Sequence, residues 1–586
     1  MASPSGTTRD DEFVRLRLAD KLVEAKSRAR AVHDVLGPSR SRLQWLMLHK
    51  CSQYLIDHYL AHCKPHDTLQ MATEWDTFLE ELLGEILGVP VASVPFGLER
   101  LRLPLSLGGF GIPSRVRLRL AAFLGTVVKA IPTLVDKVDP NSGKVFQRGY
   151  FSSPHMESLL GIGSFDGDSW DLGPFLASGV PLADAMADSW QQLQALAAPR
   201  GAAAPSDGIL ARNPSNLGQG VQNLQHTLTK ALDAAAQRHL LEEMDRSHHK
   251  RAVGLYRNSD EFSRAFLTAL PSCDMTCTDA EFREMFAHLF GAPAPSCAPV
   301  VHQPLHCGVA RGNGCVDQHG DNILNSTMEG GMPTKLRHNP LVEAIAFAAL
   351  EAGGVVRTED RRLFASALPP TASHQSAIGP DIVIVLPGQP TKVHELKTIS
   401  LNRTWYGNDL DGPGAPRRAR AVWPAYLRHA RALDRKVGLA TAANPANPSG
   451  PNLAPGPVEQ RLRAVAPISA LVVGAWGEVS EDLRLLVGNL ASVGAARMAA
   501  QLGLPRDQAT PWARQLLVQR IGFVATRGIA QHRLHGLMAV APAPARRAAS
   551  ARAGGDGARV FSLKGAIAAQ AAARHCGAWS MALTRA

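Results

Sequence analysis

The first half of the chain is patterned for helices. Apolar residues recur at the three- and four-residue spacing that buries one face of a helix. This spacing predicts helices over 13–36, 41–62, 73–88, 115–130, 219–245 and 259–290. Before the fourth of these, residues 103–113 read LPLSLGGFGIP, and their prolines and glycines predict a turn-rich bend. The first 135 residues are therefore expected to form a helical unit.

The pattern changes after residue 338 to short apolar stretches that alternate with helical ones. A helix is predicted at 340–352, strands at 354–359, 381–386 and 393–399, a helix at 416–436, a strand at 468–475 and a helix at 479–492. This order, αβββαβα, predicts a small α/β domain. The expected fold class is thus a multidomain chain with an α-helical N-terminal half followed by an α/β domain.

Length and composition indicate several folded units. The chain has 586 residues, more than one hydrophobic core usually serves. Stretches poor in periodicity at 196–216, 441–457 and 541–558 predict linkers. We predict a helical region at 13–135, helical segments with linkers at 136–300, a Cys/His segment at 301–335, the α/β domain at 336–535 and a disordered basic tail rich in Ala and Gly at 536–586.

Charge and cysteine usage narrow the class of protein. The net charge of +11 favours a polyanionic partner, because Lys and Arg that neutralise phosphates release condensed counterions. Eight cysteines are scattered over the chain, and no charged-then-apolar leader precedes them, so a reducing, intracellular compartment is expected. No apolar run approaches the roughly 18 residues that would span a bilayer, and no membrane partner is expected.

Two carboxylates and a lysine of the α/β region form the main candidate for chemistry. Glu395 and Lys397 are two residues apart on one predicted strand, so they project from the same face of the sheet. Asp381 begins the preceding strand. If these strands pair, both carboxylates can approach one Mg²⁺ or Mn²⁺ ion with the ammonium beside them, the parts that phosphodiester hydrolysis needs. Glu343 on the entering helix is a candidate for a further carboxylate.

A competing interpretation of this set is a charged stripe on a half-solvated strand, where paired Glu and Lys side chains are common. The Pro380-Asp381 step at a strand start, a gap that fits one hairpin, and the helical glutamate upstream favour the catalytic interpretation.

The predicted helix at 416–436 combines basic and aromatic residues, which suits a surface that follows a phosphate backbone. Its candidate nucleic-acid contacts are Arg417, Arg418, Arg420, Tyr426, Arg428 and Arg431. The alternative is a solvated basic face with Trp423 and Tyr426 packed inward. Pro424 is expected to bend this helix or to mark its start.

The motifs of the α/β region resemble the restriction-endonuclease-like domain that follows the reverse transcriptase in some non-LTR retrotransposons. The matching residues are Arg337-His338-Asn339, Glu343, Gly379-Pro380-Asp381 and Glu395-Leu396-Lys397. The resemblance implies a PD-(D/E)xK fold that cuts DNA at the insertion site, with DNA and the element RNA as partners. It implies catalytic roles for Asp381, Glu395 and Lys397 and an auxiliary role for Glu343.

The helical N-terminal region extends this resemblance. Residues 43–62 and 103–112 look like the thumb at the end of the reverse transcriptases of the same elements. The palm, with its paired aspartates, is absent from this chain, so no polymerase activity is expected.

Such elements carry a Cys/His knuckle before the nuclease, and here it departs from the family pattern. Where the family has a histidine and a final cysteine stand Asn322 and Ser326, neither of them a good zinc ligand. A substitute Zn²⁺ site would use Cys307, Cys315, His319 and His306. The alternative is a metal-free loop with ordinary thiols.

We therefore predict a Mg²⁺-dependent endodeoxyribonuclease of retrotransposon type, in the nucleus if the host is eukaryotic. A second hypothesis is a nucleic-acid-binding remnant that has lost catalysis, and a third is a translated fragment that never folds stably.

Overall fold

The structure is a computed structural model in two compact units, Met1–His249 and Lys250–Ala586. It describes residues 5–139, 141–142, 144–150, 153–160, 164–166, 171–202, 205, 208–217, 223–272, 274–305, 315–326, 333–360, 367, 379–436, 454–465, 467–538 and 540. The predicted tail beyond residue 540 and most of the predicted linker at 441–457 lie outside these residues. None of the described helices is long and apolar enough to cross a membrane.

The first unit is built mainly of helices. They are α1 (Ser5–Leu36), α2 (Ser41–Lys50), α3 (Asp57–His62), α4 (Pro65–Leu87), α5 (Gly97–Arg102), α6 (Arg115–Leu134), α7 (Ser153–Leu160), α8 (Gly173–Leu176), α9 (Pro181–Ala197) and α10 (Leu224–Arg246). The strands β1 (Asp136–Val138), β2 (Val145–Gln147) and β3 (Ser164–Asp166) form a small sheet in the order β2-β1-β3. These strands are not among the predicted elements, since three residues leave no periodicity to detect.

The predicted helix at 41–62 is wrong as a single element, because the chain breaks between α2 and α3. The backbone carbonyl of Gln53 accepts hydrogen bonds from the buried indole of Trp75, at 3.3 Å, and from the guanidinium of Arg115. These side chains take the carbonyl that a continuous helix would use, and a 3₁₀ turn (Ser52–Tyr54) replaces it.

The predicted bend at 103–113 is present and is tied to α5. The amide of Phe110 donates to the carbonyl of Arg100 at 3.0 Å, and the amide of Ile112 donates to that of Leu101 at 3.2 Å. A Cβ atom at Gly109 would lie 2.1 Å from the carbonyl oxygen of Leu103, so only glycine permits this approach.

The predicted linker at 196–216 is partly packed, because Ile209 and Leu210 are buried in the hydrophobic core of the first unit.

The second unit combines helices with a four-stranded sheet. Its helices are α11 (Lys250–Asn258), α12 (Glu261–Arg264), α13 (Asp279–Phe290), α14 (Asp321–Asn325), α15 (Asn339–Glu351), α16 (Arg403–Tyr406), α17 (Gly414–Lys436), α18 (Pro457–Ala464), α19 (Glu481–Leu502) and α20 (Arg506–Met538). Its strands are β4 (Val355–Thr358), β5 (Ile382–Val385), β6 (Lys392–Thr398) and β7 (Ser469–Val473).

The predicted α/β order is present in this unit, with α16 and α18 added to it. The predicted helix at 259–290 is divided into α12 and α13, and Pro271 lies in the segment between them. Pro424 lies inside α17 and does not mark its start, which is at Gly414. The long helix α20 was not predicted.

The sheet is mixed, in the order β4-β5-β6-β7, with β6 and β7 parallel and the other pairs antiparallel. One face carries Ile382, Ile384 and Leu396, which share a hydrophobic core with α15, α19 and α20. The other face carries Val383 and Val393, which pack with α16, α17 and α18. Alternation along each strand therefore decides which side chains can meet between the sheet and α17.

A buried acid at the turn after β7 makes the stability of this unit depend on pH. Burial raises the pKa of Glu478 to about 7, although the hydroxyl of Tyr406 donates to its Oε1 at 2.6 Å. A raised carboxyl pKa favours the neutral form in the folded state, so this contribution to stability is complete below the ordinary value near 4.5 and is lost as pH rises through about 7.

We expect Glu478→Gln to resist denaturant like the wild type at pH 4.5 and to exceed it by about 3 kcal/mol at pH 8, since the glutamine never ionises. Urea unfolding of both proteins across this range measures the difference. A difference that does not change with pH would contradict the prediction.

Candidate active site

Three charged side chains converge on the α17 face of the sheet. Asp381 immediately precedes β5, and Ile382 pairs with His394, so the aspartate lies level with Glu395 on the neighbouring strand. The Nζ atom of Lys397 donates a hydrogen bond to Oε1 of Glu395 and lies 4.0 Å from Oδ2 of Asp381. The structure thus brings together the three residues that the sequence selected as a catalytic core.

The carboxylate of Asp381 is held by groups from two elements. Its Oδ2 accepts a hydrogen bond from the backbone amide of Leu396 at 2.8 Å, which ties β5 to β6 at the site. The same oxygen lies 3.3 Å from Nε2 of His338, at the start of α15. Since its side chain is 18% exposed, Asp381 is sheltered but still open to a small ligand.

The carboxylate of Glu395 is more deeply buried, with 6% of the residue exposed. Its Oε1 accepts from Lys397, and its Oε2 accepts from the hydroxyl of Tyr426 on α17. The hydroxyl of Tyr426 also lies 3.4 Å from the carbonyl oxygen of Gly379, just before Asp381. One tyrosine thereby spans the two segments that carry the carboxylates.

The electrostatics of the two carboxyl groups differ. Burial and the negative charge of Asp381 raise the pKa of Glu395, and the hydrogen bonds from Lys397 and Tyr426 do not offset this. Burial also acts to raise the pKa of Asp381, but its hydrogen bond with His338 and the positive charges of His338 and Lys397 lower that pKa overall. The positive charge near Glu395 is therefore too small to offset burial and the charge of Asp381. A divalent cation bound there would add positive charge and favour the ionised carboxylate.

The donor set fits a hard divalent cation. Asp381 and Glu395 offer carboxylate oxygens, the ligands that Mg²⁺ and Mn²⁺ prefer. The ammonium of Lys397 contacts Glu395 and lies 4.0 Å from Oδ2 of Asp381, so the two carboxylates border the same positively charged group. Across the described ranges, no group of three or more His, Cys, Asp and Glu side chains is arranged to hold a metal ion. The remaining ligands would be water and phosphate oxygens, as is usual for Mg²⁺.

Glu343 is not part of this arrangement. On α15, Leu341 and Ile345 are buried in the core shared with the sheet, α19 and α20, and Glu343 lies on the opposite side of the helix from them. Among the described residues, it has no ion-pair or hydrogen-bond partner, and burial raises its pKa. No contact with Asp381, Glu395 or Lys397 is described for Glu343, so its auxiliary role stays a prediction.

Helix α17 presents two different faces. At about 100° per residue, one side carries a set of basic residues that we call the arginine stripe. The stripe comprises Arg417, Arg420, Arg428, Arg431 and Arg435. All except the half-buried Arg417 are exposed.

Tyr426 lies on the opposite side, where it is buried against the sheet. The prediction that Tyr426 contacts nucleic acid is therefore wrong. Its side chain packs inward, as the alternative interpretation of this helix had it, and its hydroxyl donates a hydrogen bond to Glu395.

Two of the predicted nucleic-acid contacts have intramolecular partners. Arg431 forms a bidentate ion pair with the buried Glu459 of α18, at 2.9 and 3.0 Å. The guanidinium of Arg418 lies over the ring of Trp405, 4.8 Å from its centroid. Among the described residues, Arg417, Arg420 and Arg428 have no acidic partner, so they are the positions of this helix best able to bind phosphates.

The described part of the Cys/His segment is organised by hydrogen bonds. Asp317 accepts from the backbone amides of His319 at 2.9 Å and Asn322 at 2.6 Å. The side-chain amide of Asn322 donates to the carbonyl oxygen of Cys315 at 2.9 Å. Asn322 thus closes the loop through its amide.

Both ring nitrogens of His319 have hydrogen-bonding partners, in the carbonyl of Ala292 and the side chain of Gln318. Burial lowers the pKa of His319 to about 4. Cys307 and His306, the other two members of the predicted Zn²⁺ set, lie outside the described residues, so zinc binding stays a prediction.

Sequence reasoning missed the contribution of His338 to the site. The residue was noted only as part of a motif, and its sequence separation from Asp381 gives no signal of contact. Tyr426 was noted as an aromatic on a basic helix. Its helical phase relative to the arginine stripe was the available signal that it points inward.

Comparison with known protein families found no match to this chain, and comparison with curated proteins found none either.

Proposed function

We propose that the second unit is a metal-dependent endonuclease that hydrolyses a phosphodiester bond of DNA. The observation that carries the proposal is the convergence of Asp381, Glu395 and Lys397 on one sheet face. Two sheltered carboxylates beside an ammonium meet the needs of this reaction, in which charge develops on the phosphate and water must attack it.

Each residue has a definite task in the proposed reaction. Asp381 and Glu395 would hold Mg²⁺ or Mn²⁺, which when bound supplies charge neutralisation and an acidified water. Lys397, 33% exposed, would turn from Glu395 toward the scissile phosphate or the attacking water and stabilise negative charge there. Tyr426 orients Glu395 through its hydroxyl, and Leu396 orients Asp381 through its amide.

The biological setting follows only from the resemblance to non-LTR retrotransposon proteins. On that basis we propose nicking of a DNA target site in the nucleus of a eukaryotic host.

The decisive experiment compares the full chain with Lys397→Ala in cleavage of supercoiled plasmid. We expect the wild type to nick DNA in Mg²⁺ or Mn²⁺ and not in chelator, and we expect Lys397→Ala to lose about 10²–10³-fold in rate, the usual cost of removing one charge-stabilising group. Lys392→Ala is the matched control, because Lys392 lies on the same strand with its side chain on the other face.

Equal activity of Lys397→Ala and Lys392→Ala would reject the site. If the wild type is folded and binds DNA but does not cleave it with either Mg²⁺ or Mn²⁺, the second hypothesis is favoured, a nucleic-acid-binding remnant without catalysis.

DNA binding by the arginine stripe is a separate prediction. We expect Arg420→Ala and Arg428→Ala each to weaken DNA binding. Each variant should also reduce the magnitude of the slope of log K against log salt by about 0.9, the change expected for the loss of one phosphate contact. Arg431→Ala is the control on the same face, since its guanidinium is already paired with Glu459. Fluorescence anisotropy at several salt concentrations measures these slopes, and three unchanged slopes would exclude the stripe as the contact surface.

A further inference from the structure

The turn that precedes α15 is irregular and firmly anchored. Residues Thr334–His338 form one turn of π-helix, a form often found at functional sites. Within it, Arg337 is only 4% exposed. Its guanidinium donates to the carbonyl of Ile399 at 2.7 Å and to the hydroxyl of Ser400 at 2.9 Å. The turn is thereby fixed to the end of β6, the strand that carries Glu395 and Lys397.

The segment that follows β6 is held from a second direction. The hydroxyl of Ser400 donates to the carbonyl of Leu324 at 2.7 Å, and the side-chain amide of Asn325 donates to the carbonyl of Leu401 at 2.7 Å. Both partners belong to α14. The end of β6 is therefore a rigid support, and the next residue after Arg337 takes its position from that support.

The residue after Arg337 is His338, and its imidazole contacts the carboxylate of Asp381. Its Nε2 lies 3.3 Å from Oδ2 of Asp381, and its Nδ1 lies 3.1 Å from the side-chain oxygen of Asn339. Oδ2 also accepts from the amide of Leu396. Oδ2 is also the Asp381 oxygen that lies 4.0 Å from Nζ of Lys397, so the groups that hold it set how the carboxylate faces the site.

We propose that His338 is a positioning residue for metal binding: it holds Oδ2 of Asp381 and so fixes the orientation of the carboxylate that would bind the ion. The inference rests on the proposed function, because it presumes a divalent cation between Asp381 and Glu395. A single amide donor, that of Leu396, restrains rotation of the carboxylate less than two groups on the same oxygen do, and the imidazole of His338 is the second group. Partners of this kind typically account for a factor of about 10–100 in metal affinity.

The test is Mn²⁺ binding to the full chain, measured by calorimetry without DNA, so that it does not depend on cleavage. We expect His338→Ala to bind Mn²⁺ about 10–100-fold more weakly than the wild type. His338→Gln should keep most of the affinity, because its amide nitrogen can donate from nearly the place of Nε2. His429→Ala, which removes an exposed histidine of α17, should bind like the wild type.

Thermal unfolding in chelator separates positioning from a structural role. His338 is 19% exposed, so we expect its variants to melt close to the wild type, with only the Mn²⁺-induced rise in melting temperature reduced. Wild-type affinity in His338→Ala, or an affinity in His338→Gln as low as in His338→Ala, would overturn the proposal.

Asp381→Asn and Glu395→Gln show whether the measured ion occupies this site. If both still bind Mn²⁺ like the wild type, the proposed function fails, and the role of His338 fails with it. If both lose Mn²⁺ while His338→Ala does not, only the role of His338 fails.

Discussion

Replacing Glu395 with glutamine is expected to abolish most cleavage while leaving the metal-free fold at least as stable as the wild type. Cleavage should fall by about 10²–10³-fold or more, because the site loses a ligand charge that the ion requires. Stability should not fall, because the carboxylate is buried and lies beside Asp381, and both effects raise its pKa. A neutral amide removes that repulsion and keeps an oxygen for the hydroxyl of Tyr426.

Two measurements on Glu395→Gln check this prediction together. Plasmid nicking gives the loss of activity, and thermal unfolding with chelator and with Mn²⁺ gives the stability of each form. The wild type should gain stability from Mn²⁺ and the variant should not, since a ligand stabilises only the state that binds it. Glu481→Gln, at an exposed glutamate of α19, is the control. A variant that melts well below the wild type in chelator would show that Glu395 serves the fold and not the metal.

Replacing Arg533 with methionine is expected to destabilise the second unit by about 3–5 kcal/mol, the usual cost of leaving one member of a buried ion pair alone. Arg533 and Glu284 are each 1% exposed, with Nη1 and Oε2 3.4 Å apart. The same guanidinium donates to Nδ1 of His288 at 2.8 Å. Burial and the charges of Arg533 and Arg251 lower the pKa of His288 well below its ordinary value, so this ring is neutral and can accept at Nδ1.

The loss should come from the uncompensated carboxylate, and a second variant can show this. Arg533→Met combined with Glu284→Gln should recover a large part of the stability, because glutamine is uncharged and still accepts from the amide of Ser296. Arg514→Ala breaks an exposed pair with Glu261, and it should cost less than about 1 kcal/mol. Chemical denaturation measures all three. Equal effects of Arg533→Met and Arg514→Ala would contradict the buried-pair explanation.

The periodicity of the chain was sufficient for most of the elements around the site. Short stretches rich in apolar and β-branched residues at 381–386 and 393–399 predicted β5 and β6, and the two-residue spacing of Glu395 and Lys397 predicted that they share a face. Periodicity was insufficient where buried side chains take backbone groups away from a helix. The hydrogen bonds to the carbonyl of Gln53 are the example, and they break the predicted helix at 41–62.

The candidate site likewise has features that follow from the sequence and features that depend on tertiary packing. The sequence by itself determined that Glu395 and Lys397 share a face, because residues two apart along a strand have a geometry set by the backbone alone. Only the tertiary structure decided that Asp381 lies level with Glu395, that α17 turns Tyr426 onto Glu395, and that His338 reaches Asp381. The last two outcomes depend on how each helix is rotated against the sheet, and that rotation is set by the packing of hydrophobic cores drawn from distant parts of the chain.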